Sequence, residues 1–461
     1  MGVVGILISL GLLMWLAYRG ITVLVLAPLL ALLAVLFDGD VRLLGIYTQV
    51  FMTALGGFLV KFFPVFLLGA IFGRLMADSG AAETIARAIV SKLGSSRAML
   101  AVVLACGVLT YGGVSVFVVA FAAFPVAARL FRQANLPKRL IPGAIVLGAG
   151  TFTMTALPGS PSIQNAIPMP YFGTDLYAAP VIGIVAGILM LSGGLLWLNY
   201  RRRRAIATGE GYGVHANENG GERNPGTAPG LLLSLVPLLL VIVMNYVFTR
   251  LVIPAMDTSY LAEPRFGGVT VGDVRGMWAL IAALAIACVA AIALYGNLRR
   301  DLRQSINQGT MSSLLPIFNT ASEVGYGTVI ATLAAFALIR DKLVALWPDQ
   351  PLLTEAVAIN VMAGITGSAS GGLGIALAAM GETFVDMATA VGVSPELLHR
   401  VAVIASGGLD SLPHNGAVIT LLVICGLTHR ESYADIFVVS VVVPVLSLAA
   451  ILIAGATLGL F

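Results

Sequence analysis

The residues best equipped for chemistry lie in "DSLPHNG" (410–416), where a carboxylate (Asp410), a hydroxyl (Ser411), an imidazole (His414) and an amide (Asn415) surround one proline. Apolar runs flank this stretch on both sides. A proline unwinds a helix and frees backbone groups, while ionisable side chains at membrane depth are costly and mark ligand or ion pathways. A second interruption, "LPGSPS" (157–162), is followed by Gln164 and Asn165. Two glycine-rich interruptions, "TYGGVS" (110–115) and "GSASGGLG" (367–374), complete the set. Helix starts at such breaks expose N–H groups and a positive dipole end, which suit an anion. Ser160 before Pro161 reads as an N-cap with proline at the first helical position, and Asn415 as the cap of the half-helix after the later break. The substrate-binding candidates are Tyr111, Gly112, Gly113, Ser115, Thr155, Gly159, Ser160, Ser162, Gln164, Asn165, Ser368, Ser370, Gly371, Gly372, Ser411, His414 and Asn415. Ser160, Ser162 and Asn415 are expected to hold a carboxylate between the breaks. Asp410, His414 and Glu323, the last in "NTASEVGYG", are the ion-coupling candidates, with Asp410 and His414 expected to approach across the broken turn. Glu382 and Asp386 read as solvated and Lys61 as snorkelling.

The elements that must position these residues are membrane helices. Of 461 residues 59% are hydrophobic and only 10% charged, with a mean hydropathy of +0.98, which excludes an ordinary soluble domain. Apolar stretches of about 20 residues, enough to span a bilayer of about 30 Å, recur throughout. The basic residues cluster in short loops, so the pI near 9 reflects the positive-inside rule and implies no nucleic-acid partner. Cys106, Cys288 and Cys425 sit in apolar runs without metal-ligand spacing and read as core residues. No metal centre or cofactor is expected, and the N-terminus lacks the basic region of a cleaved signal peptide.

Charge asymmetry gives the topology. Spans at 3–18, 20–37 and 57–77 precede a basic segment, and 98–128 leaves and returns to that side as a re-entrant hairpin with Gly112 and Gly113 at its tip. The segment 139–170 crosses with a break, and 176–200 returns to "RRRR" (201–204). Residues 205–229 read as a polar linker without a core. The second half repeats the plan: spans at 230–250, 276–296 and 313–335, a hairpin at 353–389, a broken crossing at 398–428 and a last span at 435–459. "TYGGVS" matches "ASGGLG", "TALPGSPSI" matches "DSLPHNGAV", and "FPVF" (63–66) faintly matches "LPIF" (315–318). Five spans per half force opposite orientations. The expected fold is therefore an all-α polytopic membrane protein of two inverted repeats, each with five spans and one hairpin, its broken helices meeting at the midplane as in alternating-access carriers. Both termini are placed outside a bacterial cytoplasmic membrane.

At "FGRLMADSGAAETIARAIVSKLG" (72–94), the paired hairpin tips and the two breaks, the chain resembles the gluconate permease family of the ion-transporter superfamily over nearly its full length. The resemblance implies a homodimeric elevator carrier for proton-coupled uptake of small organic acids, with "LPGSPSIQN" and "LDSLPHNG" as its substrate loops. Residues 98–200 and 353–461 would form the transport part, 1–97 and 230–352 the scaffold, and 201–229 a cytoplasmic linker. Gluconate members carry an acidic residue in the first tip and histidines in the first break. This chain has neither, which suggests a less hydroxylated substrate. The run "SGGLDSLPHNGAVITLL" resembles D-3-hydroxybutyrate permeases, so a short hydroxy-monocarboxylate is expected. Gluconate or another sugar acid, and sodium in place of the proton, remain the nearest alternatives. An intramembrane aspartyl protease would need a second facing Asp at membrane depth, and a channel would not need long closed hairpins. No nucleotide loop or catalytic triad is present, so energy must come from an ion gradient and no enzymatic activity is expected.

Overall fold

The protein is described here from a computed structural model covering residues 1–19, 21–94, 97–213 and 228–458. Most of the expected linker, 214–227, lies outside the described residues, which are helical and contain no strand. The first half runs through α1 (Gly2–Tyr18), α2 (Val23–Asp38), α3 (Leu43–Asp78) and the amphipathic α4 (Ala81–Leu93). It continues into the hairpin arms α5 (Ala98–Tyr111) and α6 (Val116–Gln133), then the broken crossing α7 (Ile141–Ala149), α8 (Phe152–Thr155), α9 (Ile163–Ala166) and α10 (Met169–Phe172), and ends in α11 (Pro180–Ala207). The second half has the same order. Helices α12 (Leu231–Ala255), α13 (Val271–Leu294) and α14 (Leu302–Ala331) lead to the short α15 (Ala334–Leu346). Hairpin arms α16 (Pro351–Thr366) and α17 (Ala369–Val391), the broken pair α18 (Pro395–Ser406) and α19 (Gly416–Cys425), and α20 (His429–Thr457) follow.

Among the described residues seven of these helices, including the second arm of each hairpin, α6 and α17, are long and apolar enough to cross a membrane, and five shorter apolar ones include the first hairpin arms α5 and α16 and the half-helix α19. Two spans begin earlier than hydropathy suggests. Helix α3 starts at Leu43 and α14 at Leu302, because polar residues such as Thr48, Gln304 and Asn307 interrupt the apolar run without interrupting the helix. The Thr48 hydroxyl donates back to the Leu44 carbonyl at 2.7 Å, which keeps it compatible with the turn.

Helix starts are set by caps. Ser115, Ser162, Ser368, Ser394 and Asn415 stand extended before their helices and accept from the backbone N–H groups of Val118, Asn165, Gly371, Leu397 and Val418. The long helices α3 and α14, each with an internal proline (Pro64, Pro316), form the most extensive helix–helix interface among the described residues, and α2 and α13 pack on the opposite partner of that pair.

The chain ends expected on one face are brought together. On the basic face, Arg74 pairs with Asp78, which accepts from Ser305, and Asn297 donates to the Ser79 carbonyl. There α11 runs on through the four arginines to Ala207, and Glu210 pairs with Arg139 at 2.7 Å. The start of the expected linker is therefore docked. The Arg139 guanidinium holds the Glu210 carboxyl below the usual carboxylate range. At the opposite face, Asp38 accepts from the Ala334 N–H, and Asp175 faces Arg250 and Arg275 at 3.4 and 3.8 Å.

Asp435 locks the basic end. Its fully buried carboxylate accepts from Arg139 (3.0 Å), Arg201 (2.6 Å) and the Trp197 indole N–H (3.1 Å), joining the helical turn just before α7 to α11 and α20. Removing one member of a buried ion network leaves the others uncompensated, at a cost of about 3–5 kcal/mol. Asp435→Ala should accordingly lower the melting temperature of detergent-purified protein, measured by tryptophan fluorescence, whereas Asp341→Ala in an exposed pair should not.

Candidate functional site

The second break spans 407–415, between α18 and α19. Asn415 organises it. Its Oδ1 accepts from the Val418 N–H at 2.8 Å, and its Nδ2 donates to the carbonyls of Asp410 (2.9 Å) and Gly367 (3.0 Å). The last bond ties the break to the tip of hairpin α16–α17. Gly367 has a φ of +62° and a Cβ there would lie 2.6 Å from the His414 ring, so the contact needs glycine on both counts. Two further side chains satisfy the unwound carbonyls: the Tyr433 hydroxyl donates to Ser411 (3.0 Å) and His429 Nε2–H to Pro413 (3.0 Å). Asp410 is buried and accepts from the Ser411 hydroxyl at 3.0 Å. His414 Nε2 is buried without a partner. No hydrogen bond or ion pair joins Asp410 to His414 among the described residues: the turn at Pro413 directs the imidazole toward the hairpin tip and Asp410 toward its own hydroxyl neighbour.

At the first break the cap is Ser162, not Ser160. The Ser162 hydroxyl accepts from the Asn165 N–H and donates to the Met154 carbonyl at 2.8 Å, so Pro161 precedes the cap instead of opening the helix. Ser160 is fully buried and its hydroxyl has no partner. The Asn165 amide is committed at both ends. Nδ2 donates to the carbonyls of Ser160 (2.9 Å) and Leu176 (3.1 Å), and Oδ1 accepts from His399 Nε2 (3.1 Å) and Arg400 (3.2 Å). That arrangement puts the His399 proton on Nε2, so Nδ1 accepts from the Thr174 hydroxyl at 2.6 Å. The hairpin tip closes the loop from the other side: the Tyr111 hydroxyl donates to the Pro158 carbonyl at 2.8 Å, and Gly113 lies against Pro161.

Arg400 is the residue that sequence reasoning missed. It is fully buried on α18, yet its guanidinium serves the other half of the chain, donating to the carbonyls of Ala156 (3.0 Å), Leu176 (3.1 Å) and Ala178 (2.8 and 2.9 Å). No carboxylate makes a direct ion pair with it among the described residues; the first break carries a buried positive charge held by carbonyl dipoles, with the buried Asp175 carboxylate attracting it through space. The available signal was "HR" in the middle of "LLHRVAVIAS", an otherwise apolar crossing. Glu355 was missed too. It lies fully buried on α16 with both carboxyl oxygens unpartnered.

The two breaks meet back to back, Gly407 packing on Thr155 so closely that a Cβ would lie 2.5 Å from the Thr155 hydroxyl. Ser162, Asn165 and Asn415 therefore shape the loops, while Gln164, half-buried with no side-chain hydrogen bond, Ser160 and His414 keep unused polar groups. In the first hairpin Gly112 abuts Leu238 of α12, and Ser115 caps α6. In the second, the tip is Gly367–Ser368, and Ser370, Gly371 and Gly372 lie in the first turn of α17, against the expectation that "ASGGLG" forms the tip. Caps decide the correspondence: Ser115 matches Ser368, and Ser162 matches Asn415, two positions from the pairing suggested by the letters. Glu323 lies buried on α14 with its carboxyl on the Gly371 backbone, and Ser370 reaches Thr320 at 3.4 Å. Glu382 and Asp386 are exposed, and Lys61 is exposed with its ammonium 6.0 Å from the Tyr171 ring. The three cysteines are buried and free. Among the described residues no group of three or more His, Cys, Asp or Glu could hold a metal ion.

Paired hairpins and broken crossings in a helical membrane fold define a multi-pass membrane transporter. The fold is similar to that of the Alcanivorax borkumensis YdaH transporter, with a TM-score of 0.58 at 16% identity over 91% of this chain and 90% of that one. The family model for GntP family permeases matches residues 1–456, and the chain belongs to that family. It is 45% identical over 451 residues, 95% of each chain, to an uncharacterised transporter of Bacillus subtilis, YxjC. A Haemophilus influenzae uncharacterised transporter is 31% identical over 144 residues, about a third of each chain.

Arg400→Gln removes the fork that reaches three carbonyls on two segments, Ala156 on one and Leu176 and Ala178 on the other, and each unsatisfied buried carbonyl costs about 1–3 kcal/mol. A melting temperature well below wild type is expected, and Arg400→Lys should not restore it, because one ammonium cannot span the same acceptors.

Proposed function

We propose that the protein imports a small organic acid anion, a short hydroxy-monocarboxylate such as D-3-hydroxybutyrate, by proton symport across the bacterial cytoplasmic membrane. In this reading the two halves are inverted repeats with both termini outside, and the carrier works as a homodimeric elevator. Residues 98–200 and 353–461 move against a scaffold of 1–97 and 230–352, with 201–229 as the cytoplasmic linker.

The observation that carries the reading is the meeting of the two breaks beside the buried charge of Arg400, which makes no direct ion pair among the described residues. An anion placed there gains from that charge in a medium of low dielectric constant, and from the N-terminus of α19 at Asn415. Gln164, Ser160 and His414 supply polar groups with no other employment among the described residues. Few hydroxyls and one imidazole suit a short acid better than a polyhydroxylated one. Asp410 is the coupling acid, with His414 sensing it through the shared loop; bound anion and bound proton favour each other by linkage.

Uptake of labelled 3-hydroxybutyrate into proteoliposomes, with imposed pH or sodium gradients and competing acids, tests this directly. Asp410→Asn should retain substrate exchange within about twofold of wild type but lose accumulation driven by a pH gradient. Gln164→Ala should raise the apparent KM about tenfold, equivalent to about 1.4 kcal/mol, with little change in exchange capacity. Accumulation that follows sodium instead, or full proton-driven accumulation in Asp410→Asn, would overturn the coupling scheme.

A further inference from the structure

Glu323 sits on α14 where that helix supports hairpin α16–α17. The carboxyl is 3% exposed and Oε2 has no hydrogen-bond partner. It lies so close to the Gly371 backbone that a Cβ there would overlap it. Glycines seal the contact on both sides: a Cβ at Gly374 would lie 2.8 Å from Val324, and one at Gly327 would lie 3.0 Å from the Ile375 backbone. The polar residues flanking the contact on α14 and α17 carry hydroxyls, Thr320, Ser370 and Ser368 standing 3.4 Å apart in series, with the Ser322 hydroxyl unpartnered among the described residues. The elements packed on α14 carry Lys61, Arg74 and Asp78 on α3, Asp38 on α2, Glu382 and Asp386 on α17, and Arg340, Asp341 and Lys342 on α15. None of these makes a hydrogen bond or ion pair with Glu323 among the described residues. Tyr326, the nearest phenol on α14 itself, is turned to Ser9 of α1. The corresponding contact of the first half, where Gly73 of α3 faces Ser115, holds no carboxyl at all.

We infer that Glu323 is a proton-binding residue of the transport cycle, neutral while hairpin α16–α17 is seated on α14 and ionised once the hairpin leaves. An ionised carboxylate in the seated contact would be buried without a partner, the arrangement that proteins avoid by protonation. Departure of α17 opens the carboxyl to water and removes that penalty. The seated arrangement thus binds the proton more tightly, and by linkage the proton favours the seated arrangement. The proton comes from water and returns to water; no other bond changes. Glu355 travels with the hairpin and cannot report its seating, whereas Glu323 stays with α14. The inference rests on the elevator reading given above, since it requires the hairpin to move relative to α14.

The test is thiol accessibility in proteoliposomes. Ile375→Cys, in a background with Cys106, Cys288 and Cys425 replaced by alanine, is covered by Gly327 when the hairpin is seated. Its labelling by a membrane-permeant maleimide is normalised to Glu382→Cys, which is always exposed, to remove the intrinsic pH dependence of thiol reactivity. Normalised labelling should rise at least about threefold between about pH 6 and about pH 8 with Glu323 present, and stay low and flat in Glu323→Gln. Gly371→Ala should unseat the hairpin and label fast at every pH; adding Glu323→Ala makes room for the new Cβ and should return labelling to the low value. The same pH rise in Glu323→Gln, or a flat profile with Glu323 present while a substrate gradient still changes labelling, overturns the role of Glu323 and leaves the elevator standing. Labelling that responds to neither pH nor substrate gradient overturns both.

Discussion

Unwound backbone inside a hydrocarbon layer must find hydrogen-bond partners within the protein, and the centre of this molecule is organised by that requirement. Each break leaves carbonyls that no helix satisfies, and each is served by side chains from elsewhere in the chain. The second break is held by Asn415, Tyr433 and His429. The first is held by Asn165, Tyr111 and, above all, by Arg400 reaching across from the opposite half. A hairpin tip docks on each break because the tip supplies or accepts one of these bonds: Gly367 gives its carbonyl to Asn415, and Tyr111 gives its hydroxyl to Pro158. The hairpin and the broken crossing are therefore one structural unit per half, and the cross-chain reach of Arg400 and His399 joins the two units.

The halves share a plan but not a charge. The first break carries the Arg400 guanidinium bound to carbonyls, and the second carries Asp410 with an imidazole whose Nε2 has no partner among the described residues. The same divergence recurs where the third crossing of each half supports a hairpin, Gly73 beside Ser115 in one and Glu323 beside Gly371 in the other. Caps, prolines and glycines recur at matched places in the order of elements of the two halves. Ionisable groups are confined to single positions within that order, since each must be accommodated locally at high cost.

Much of this plan was legible from residue patterns. Apolar runs, basic loops and Gly/Pro interruptions sufficed for the order of spans, the two hairpins and the two breaks, because each is a local property of composition. The internal match of "TALPGSPSI" with "DSLPHNGAV" located both breaks but misaligned them by two residues. Two prolines in the first loop, Pro158 and Pro161, offer competing anchors, and only the geometry of the Ser162 hydroxyl shows which residue starts the helix. The second tip slipped for a similar reason: glycines drew attention to 371–372, where they serve close packing against Glu323, whereas the turn itself uses Gly367. Arg400 stayed hidden because its partners are carbonyls more than 200 residues away, which leave no mark on side-chain identity.

Partner availability separates the shaping residues from the acting ones. Asn165, Ser162 and Asn415 look like ligand groups by type, yet every polar atom they own is spent on loop carbonyls and N–H groups, so their part in any binding is to hold the loops open in one shape. Ser160, His414, Glu323 and Glu355 retain buried polar atoms with nothing to bond. Native proteins tolerate few such atoms, because each forfeits hydration without replacement. Here they fall on the breaks and on the second hairpin with its support, the elements that separate if the hairpin units travel. The positive charge lies with the first break and the carboxyls lie with the second half. In the proposed carrier an anion would be drawn toward the first and a proton toward the second, two cargoes of opposite charge that need not compete for the same atoms.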